Sequence, residues 1–146
     1  DREWGREGIR GGRSKFKYLK HVSKGFVSYW HQVNETLHLE PQTVLEIGIC
    51  QGIFWKYIKE LGLQTFTFDY DYNLKPDIQG NIIDLPLIDE AIDVIRCFEL
   101  LEHLPIAEFS GILAEFYRVV RIGAVISVPD INWFLDLRMS IPKFIV

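Results

Sequence analysis

Apolar residues recur along the chain at two spacings, which predicts helices that alternate with strands. Between Tyr18 and Leu37, between Ile53 and Leu61 and again after Pro105, they fall three and four residues apart, as on one face of an α-helix. Gly62 is placed to end the second of these helices. Five short apolar runs of strand length are Thr43–Ile47, Gln64–Phe68, Ile78–Ile83, Ala91–Phe98 and Gly123–Val128.

The strand candidates are apolar almost throughout rather than alternating between apolar and polar residues. Such strands are typical of a parallel sheet that helices cover on both faces. The sequence therefore predicts an α/β fold with a doubly wound, mainly parallel sheet. In this kind of fold, ligands bind at the carboxyl ends of the strands, so the residues that follow each strand are the first candidates for a site.

The distribution of charge and glycine divides the chain into three predicted parts. Residues 1–17 are expected to form a basic, partly disordered arm, because they are rich in Arg, Lys and Gly. Residues 18–40 form a helical segment, and residues 41–146 form the ligand-binding domain. A basic arm on an acidic body could steer an anionic substrate towards the protein.

Composition narrows the possible classes of protein. The chain has 146 residues, of which 48% are hydrophobic, enough for one compact core. Its formal net charge of −4 argues against a dedicated nucleic-acid binder. Two cysteines make no disulfide framework, and no run of about 18 apolar residues could span a bilayer. We therefore expect a cytoplasmic protein without a membrane span.

A glycine turn and an acidic residue mark the predicted site. Gly48 and Gly52 lie between the first strand and the helix after it, where free backbone N–H groups suit an electron-rich ligand. Asp69 follows the next strand about 20 residues further on, a position from which a carboxylate accepts hydrogen bonds from ribose hydroxyls. Glu46 lies near the end of the first strand, where a carboxylate is costly to bury unless it is hydrogen-bonded or paired with a positive group. This pattern predicts a cofactor that contains a nucleoside and has a cationic portion.

Three segments, in order, resemble motifs of one enzyme family. Leu45–Gly52 reads LEIGICQG, Phe68–Asp71 reads FDYD and Phe98–Pro105 reads FELLEHLP. In this order and spacing they resemble the class I S-adenosylmethionine-dependent methyltransferases, in particular those with a methyltransferase type 11-like domain. The resemblance implies a Rossmann-like methyltransferase fold and S-adenosyl-L-methionine as the cofactor.

The resemblance also assigns roles to residues. Glu46 and Gly48 would face the methionine end of the cofactor, Asp69 would hold the ribose hydroxyls, and Phe98 would border the methionine portion. Asn81 and Ile82 would lie beside the adenine. Cys50 stands in the loop where the family usually has glycine, and Asn81 stands where it more often has Asp. The implied cofactor-binding residues are Glu46, Gly48, Cys50, Gly52, Asp69, Asn81, Ile82 and Phe98.

The expected activity is transfer of a methyl group to a small-molecule or glycan-type acceptor. His103 is a candidate general base, needed only if the acceptor must lose a proton. No metal site is predicted, because Glu99, Glu102 and His103 offer too few ligands. The family usually has seven strands and only five candidates are visible, so the sheet is expected to lack its last strands within this chain.

Two alternative functions stay open from the sequence. A methyltransferase-like binding module without turnover would explain Cys50 and the small number of strands. A nicotinamide-dependent oxidoreductase would also use a glycine turn and an acidic residue, but its fingerprint is G-x-G-x-x-G rather than the spacing of Gly48 and Gly52.

Overall fold

The computed structural model describes residues 28–49 and 52–128. The predicted arm, the first part of the predicted helical segment, and Cys50 lie outside the described residues. The chain divides into two units, residues 1–31 and residues 32–146. Of the first unit, residues 28–31 are described. They are helical, and the indole of Trp30 contacts the ring of His31 edge to face, with centroids 4.9 Å apart.

In the described part of the second unit, five parallel strands form a single sheet. Its order is β3-β2-β1-β4-β5, so the chain proceeds outwards from β1 in one direction and then returns to the other side of β1. The point of reversal lies between β1 and β4. The strands are β1 (Thr43–Ile47), β2 (Gln64–Asp69), β3 (Ile78–Gln79), β4 (Ile92–Phe98) and β5 (Val120–Ser127).

Helices cover both faces of this sheet, as the apolar strands predict. Val44 faces the helix α2 (Ile53–Glu60), where it packs with Phe54 and Ile58. Side chains of residues 32–38, which belong to the helix α1 (residues 28–38), pack there as well. The neighbouring side chains Leu45 and Ile47 point to the opposite face, because successive residues of a strand alternate. There they belong to the larger core cluster, to which α3 contributes Ile112, Phe116 and Val119. The described residues thus contain three helices, α1 (residues 28–38), α2 (Ile53–Glu60) and α3 (Phe109–Val119).

Short turns of 3-10 helix lie at Tyr72–Leu74, Leu101–His103 and Ile106–Glu108. The helix α2 ends as predicted, because Gly62 follows its last turn with a φ of 91° and donates its N–H to the carbonyl of Lys59. The strand order and the helices on both faces of the sheet confirm the predicted doubly wound parallel sheet.

Two strands differ from their predicted extents by more than one residue at an end, whereas β2 and β4 differ by one residue. β3 has two residues instead of six, because the side chain of Asn81 accepts a hydrogen bond from the N–H of Ile83 and turns the chain. β5 begins at Val120, three residues earlier than predicted. A register shift between Ile92 and Val94 leaves Arg121 exposed and so interrupts the apolar run.

A carboxylate ties the amino ends of three strands together. Asp93 Oδ2 accepts hydrogen bonds from the N–H groups of Gln42 and Thr43, at 2.9 and 2.8 Å. Asp93 Oδ1 accepts one from Arg121 Nε of β5, at 2.7 Å. Burial alone would raise the pKa of Asp93, but the hydrogen bonds from Arg121, Thr43 and Gln42 outweigh it and lower the pKa to about 2.

Candidate functional site

The loop after β1 has a backbone that only glycine adopts without strain. Gly48 and Gly52 have φ values of 83° and 67°. A Cβ atom on Gly52 would lie 3.0 Å from Trp55 Nε1, so the indole also requires a glycine there. Gly52 is the N-cap of α2, whose first turn has no capping side chain and no acidic residue. This helix start therefore presents backbone N–H groups towards the loop.

Asp69 connects the end of β2 to this loop. Its Oδ2 accepts a hydrogen bond from the N–H of Ile49 at 3.0 Å, and its Oδ1 accepts one from the N–H of Asp71 at 2.9 Å. The side chain is half-buried. Each carboxylate oxygen can accept more than one hydrogen bond, so Asp69 keeps the capacity to bind hydroxyl groups of a ligand. The structure thus places Gly48, Gly52 and Asp69 together, as the sequence predicted.

Glu46 is buried and paired within the chain. Arg96 lies opposite it in the register of β1 and β4, and Arg96 Nη1 donates a hydrogen bond to Glu46 Oε2 at 3.1 Å. Burial raises the pKa of Glu46, and the positive charge of Arg96 opposes this effect. Burial lowers the pKa of Arg96 to about 9, which still leaves the guanidinium protonated at neutral pH. The cationic partner that the sequence required for Glu46 is thus an arginine of the same chain.

The guanidinium of Arg96 lies between two aromatic rings. Its central carbon is 3.2 Å from the ring centroid of Phe54 in α2 and 4.4 Å from that of Phe98. The side chain has no solvent exposure, and its Nε and Nη2 lack hydrogen-bond partners among residues 28–49 and 52–128. Sequence reasoning missed Arg96. The available signal was a single charged residue inside the apolar run AIDVIRCF, in a strand that adjoins the one carrying Glu46.

The other predicted cofactor residues lie at the same edge of the sheet. Phe98 is the half-buried last residue of β4. Asn81 follows β3, and its side-chain oxygen already accepts the N–H of Ile83 at 3.2 Å. Ile82 is 7% exposed and belongs to the larger core cluster. A ligand beside Ile82 would therefore meet little of its side chain. Cys50 lies outside the described residues.

The loop after β4 begins with a strained residue. Glu99 has a φ of 49°, unusual for a residue with a side chain, and its N–H donates to the carbonyl of Ser127 at the end of β5. His103 ends the 3-10 turn that follows. Its ring is 74% exposed, and its Nε2 lies 4.0 Å from Glu102 Oε1. Within the described part of the chain, no group of three or more His, Cys, Asp or Glu side chains could hold a metal ion.

The second cysteine of the chain, Cys97, is buried in the core. Burial raises the pKa of its thiol to about 12, with a further contribution from Glu102. Cys97 is therefore a packing residue. Separately, no helix among residues 28–49 and 52–128 is long and apolar enough to cross a bilayer.

Comparison with known proteins assigns a family to this arrangement. Residues 45–128, more than half of the chain, match the family model described as a methyltransferase domain. A protein of Mycolicibacterium smegmatis named "Probable S-adenosylmethionine-dependent methyltransferase" is 30% identical in sequence, and the match covers 72% of this chain and 46% of that protein. The chain thus spans less than half of the length of this relative.

Solved structures share the fold. One is a protein of Anabaena variabilis described as a methyltransferase from an antibiotic biosynthesis pathway, with a TM-score of 0.58 and 19% identity. The match covers 68% of this chain and 45% of that one. Another is a SAM-dependent methyltransferase of Archaeoglobus fulgidus, with a TM-score of 0.56 and 20% identity, covering 79% of this chain and 53% of that one.

These comparisons favour neither a binding module without turnover nor a nicotinamide-dependent oxidoreductase. The resemblance seen in the sequence agrees with the family match and with the observed strand order. The chain belongs to the methyltransferase-domain family and has its class I fold.

Proposed function

We propose that this chain is the cofactor-binding part of an S-adenosylmethionine-dependent methyltransferase that methylates a small-molecule acceptor, of a glycan or anionic type. Membership of the family supports methyl transfer as the reaction, and the name of the M. smegmatis relative supports S-adenosylmethionine as the cofactor. The basic character of residues 1–17 favours an anionic acceptor, since a basic arm attracts negatively charged molecules.

The observation that carries this proposal is the link between Asp69 and the glycine loop. The hydrogen bond from Ile49 N–H to Asp69 Oδ2 fixes the carboxylate beside the loop backbone, at the carboxyl edge of the sheet. In this position Asp69 would accept hydrogen bonds from the two ribose hydroxyls. The glycine loop would lie against the part of the cofactor that joins ribose to methionine, because glycines allow close approach of the backbone.

The remaining roles follow from position along the same edge. Glu46 and Gly48 would face the methionine end of the cofactor, and Phe98 would border it. Asn81 and Ile82 would lie at the adenine, where the Asn81 side-chain oxygen has a second lone pair available. Gly52 would begin the helix beneath the cofactor. Cys50 is proposed as a further loop contact on the sequence alone.

The cofactor supplies an activated methyl group when bound. The residues of this chain therefore bind and orient, and alignment of the acceptor atom would provide most of the rate enhancement. His103 is exposed and its Nε2 lies 4.0 Å from Glu102 Oε1, so its imidazole would accept the proton of an acceptor that must be deprotonated. We propose His103 only for that case.

Titration of the chain with S-adenosylhomocysteine, the demethylated product, tests the proposal. We expect saturable binding that Asp69→Ala weakens by about tenfold or more, because two hydrogen bonds to a carboxylate are lost. Asp69→Asn keeps one acceptor oxygen for Ile49 and should have an intermediate affinity. Asp89→Ala is the matched control, since Asp89 is exposed and pairs with Arg118 of α3.

Two results would contradict the proposal. One is binding of a nicotinamide dinucleotide in place of S-adenosylhomocysteine. The other is equal affinity of Asp69→Ala and Asp89→Ala for the product, with both variants folded by circular dichroism. Incubation with labelled S-adenosylmethionine and a panel of small glycans and organic anions would then identify the acceptor class.

A further inference from the structure

The buried polar atoms that lack partners are concentrated at one edge of the sheet. In residues 28–49 and 52–128 these side-chain atoms are Arg96 Nε and Nη2, Trp55 Nε1 and Ser127 Oγ. Trp55 lies in the first turn of α2, Arg96 lies two residues before the end of β4, and Ser127 ends β5. Buried polar groups in proteins are nearly always hydrogen-bonded, so this group of atoms indicates a missing partner.

The chemistry of these atoms defines that partner. The guanidinium and indole N–H groups can only donate hydrogen bonds, so the partner must supply acceptors. A guanidinium binds planar carboxylates especially well, because its N–H groups form a fork that matches two oxygens. Arg96 uses only Nη1 for Glu46, which leaves two of its nitrogen atoms for such a group.

Glu46 adds the opposite charge directly beside this cation. Glu46 and Arg96 are register partners on the face of the sheet that α2 covers, and Ser127 lies on the same face because it partners Phe98. A carboxylate and a guanidinium side by side complement a ligand that carries both an ammonium and a carboxylate. The amino-acid portion of S-adenosylmethionine is such a zwitterion.

We propose that Arg96 binds the carboxylate of the amino-acid portion of the cofactor and makes the site specific for ligands that carry it, while Glu46 faces the ammonium. This inference rests on the proposed function. The Phe98 ring lies 4.4 Å from the guanidinium and is half-buried at the end of β4, so it would have to turn aside to admit the carboxylate. The ring of Phe54 stays beneath the guanidinium and holds it in place.

A pair of ligands that differ only in the carboxylate tests this role. S-adenosylhomocysteine has it, whereas the decarboxylated analogue keeps the adenosine, the sulfur and the ammonium. By calorimetric titration, we expect the native chain to bind S-adenosylhomocysteine about tenfold or more tightly than the analogue. In Arg96→Met the two affinities should agree within about twofold, because the guanidinium that distinguishes them is gone.

Two further variants serve as controls. Arg96→Lys keeps the positive charge without the fork, so its affinity ratio should lie between those of the native chain and Arg96→Met. Arg121→Met makes the same change at the amino end of the sheet, where Arg121 pairs with Asp93. It should keep the native ratio. A purely structural role of Arg96 would weaken folding but would leave the ratio unchanged.

The outcomes separate the inference from the function on which it rests. An unchanged ratio in folded Arg96→Met overturns the role of Arg96 and leaves the methyltransferase proposal intact. Failure of the native chain to bind S-adenosylhomocysteine overturns that proposal instead.

If Arg96→Met does not fold, the native chain still provides a test by NMR. The Arg96 Nε–H signal, assigned through its own side-chain carbons, should shift with S-adenosylhomocysteine and remain in place with the decarboxylated analogue. Equal shifts with both ligands would overturn the inference.

Discussion

At the scale of single residues, the site depends on backbone positions that side chains cannot occupy without strain. Gly48, Gly52 and Gly62 all have positive φ, but their surroundings differ. Gly52 lies against the indole of Trp55 in the loop after β1, whereas no described atom lies within 4 Å of a Cβ placed on Gly62. These two glycines therefore separate the effect of backbone strain from the effect of crowding at the site.

We predict that Gly52→Ala and Gly62→Ala each lower the free energy of unfolding by about 1–2 kcal/mol, since both force an L-residue into the left-handed region. Only Gly52→Ala should also weaken the binding of S-adenosylhomocysteine, because its Cβ displaces Trp55. Urea unfolding and calorimetric titration measure the two effects. An equal loss of ligand affinity in both variants would contradict this account of the loop.

At the scale of secondary-structure elements, polar side chains fix how the strands and loops meet. Asp93 connects β4 to the start of β1 and to Arg121 of β5 at the amino edge. Arg118 of α3 donates to the carbonyls of Leu85 and Leu87 and so attaches the loop before β4 to the helix. These contacts lie away from the glycine loop. The contacts of Asp93 and Arg118 therefore contribute to the stability of the fold.

Asp93 should make stability depend on acidity. Its pKa in the folded chain is about 2, below the ordinary value of about 3.9, so its stabilisation is complete above about pH 5 and is lost as the pH falls towards 2. We expect Asp93→Asn to lower the free energy of unfolding by about 1–2 kcal/mol at neutral pH and to flatten its decline between pH 5 and pH 2. Urea unfolding at a series of pH values measures this.

The control for this experiment is Asp89→Asn. Asp89 is 76% exposed, so its variant should retain the pH dependence of the native chain. The same slope in Asp93→Asn and in the native chain would show that Asp93 does not carry the dependence.

At the scale of the second unit of the chain, the sheet separates two apolar clusters with different relations to the site. Val44, Phe54 and Ile58 lie on the face of the sheet that α2 covers. The Phe54 ring that stacks on Arg96 lies on this face, and the glycine loop leads into α2. Ile112 and Phe116 lie on the opposite face of the sheet, which α3 covers. The apolar stripes predicted these helices and the parallel sheet correctly. The spacing of apolar residues along a helix or a strand depends only on positions along the chain, so it can be read from the sequence alone.

The contacts that could not be predicted are those that depend on register. Glu46 and Arg96 are 50 residues apart, and Asp93 and Arg121 are separated by a helix. Which side chains face each other is decided only when β1, β4 and β5 are aligned. The extra residue of β5 between Val120 and Gly123 changes that alignment without any signal in the apolar pattern.

We predict that the two clusters can be distinguished by their effect on the ligand. Ile58→Ala and Ile112→Ala remove equally buried side chains and should each lower the free energy of unfolding by about 2–5 kcal/mol. Ile58→Ala loosens α2 and should weaken S-adenosylhomocysteine binding, whereas Ile112→Ala should leave the affinity of the folded protein unchanged. Titration at a temperature where both variants are folded tests this. The reverse order of affinities would contradict it.

The buried pair of Glu46 and Arg96 has a consequence for the history of the family. Removing either residue alone leaves one charge in the interior without its partner, which is strongly destabilising. A lineage therefore keeps a stable fold most readily when both positions change together. Positions 46 and 96 are expected to co-vary among relatives.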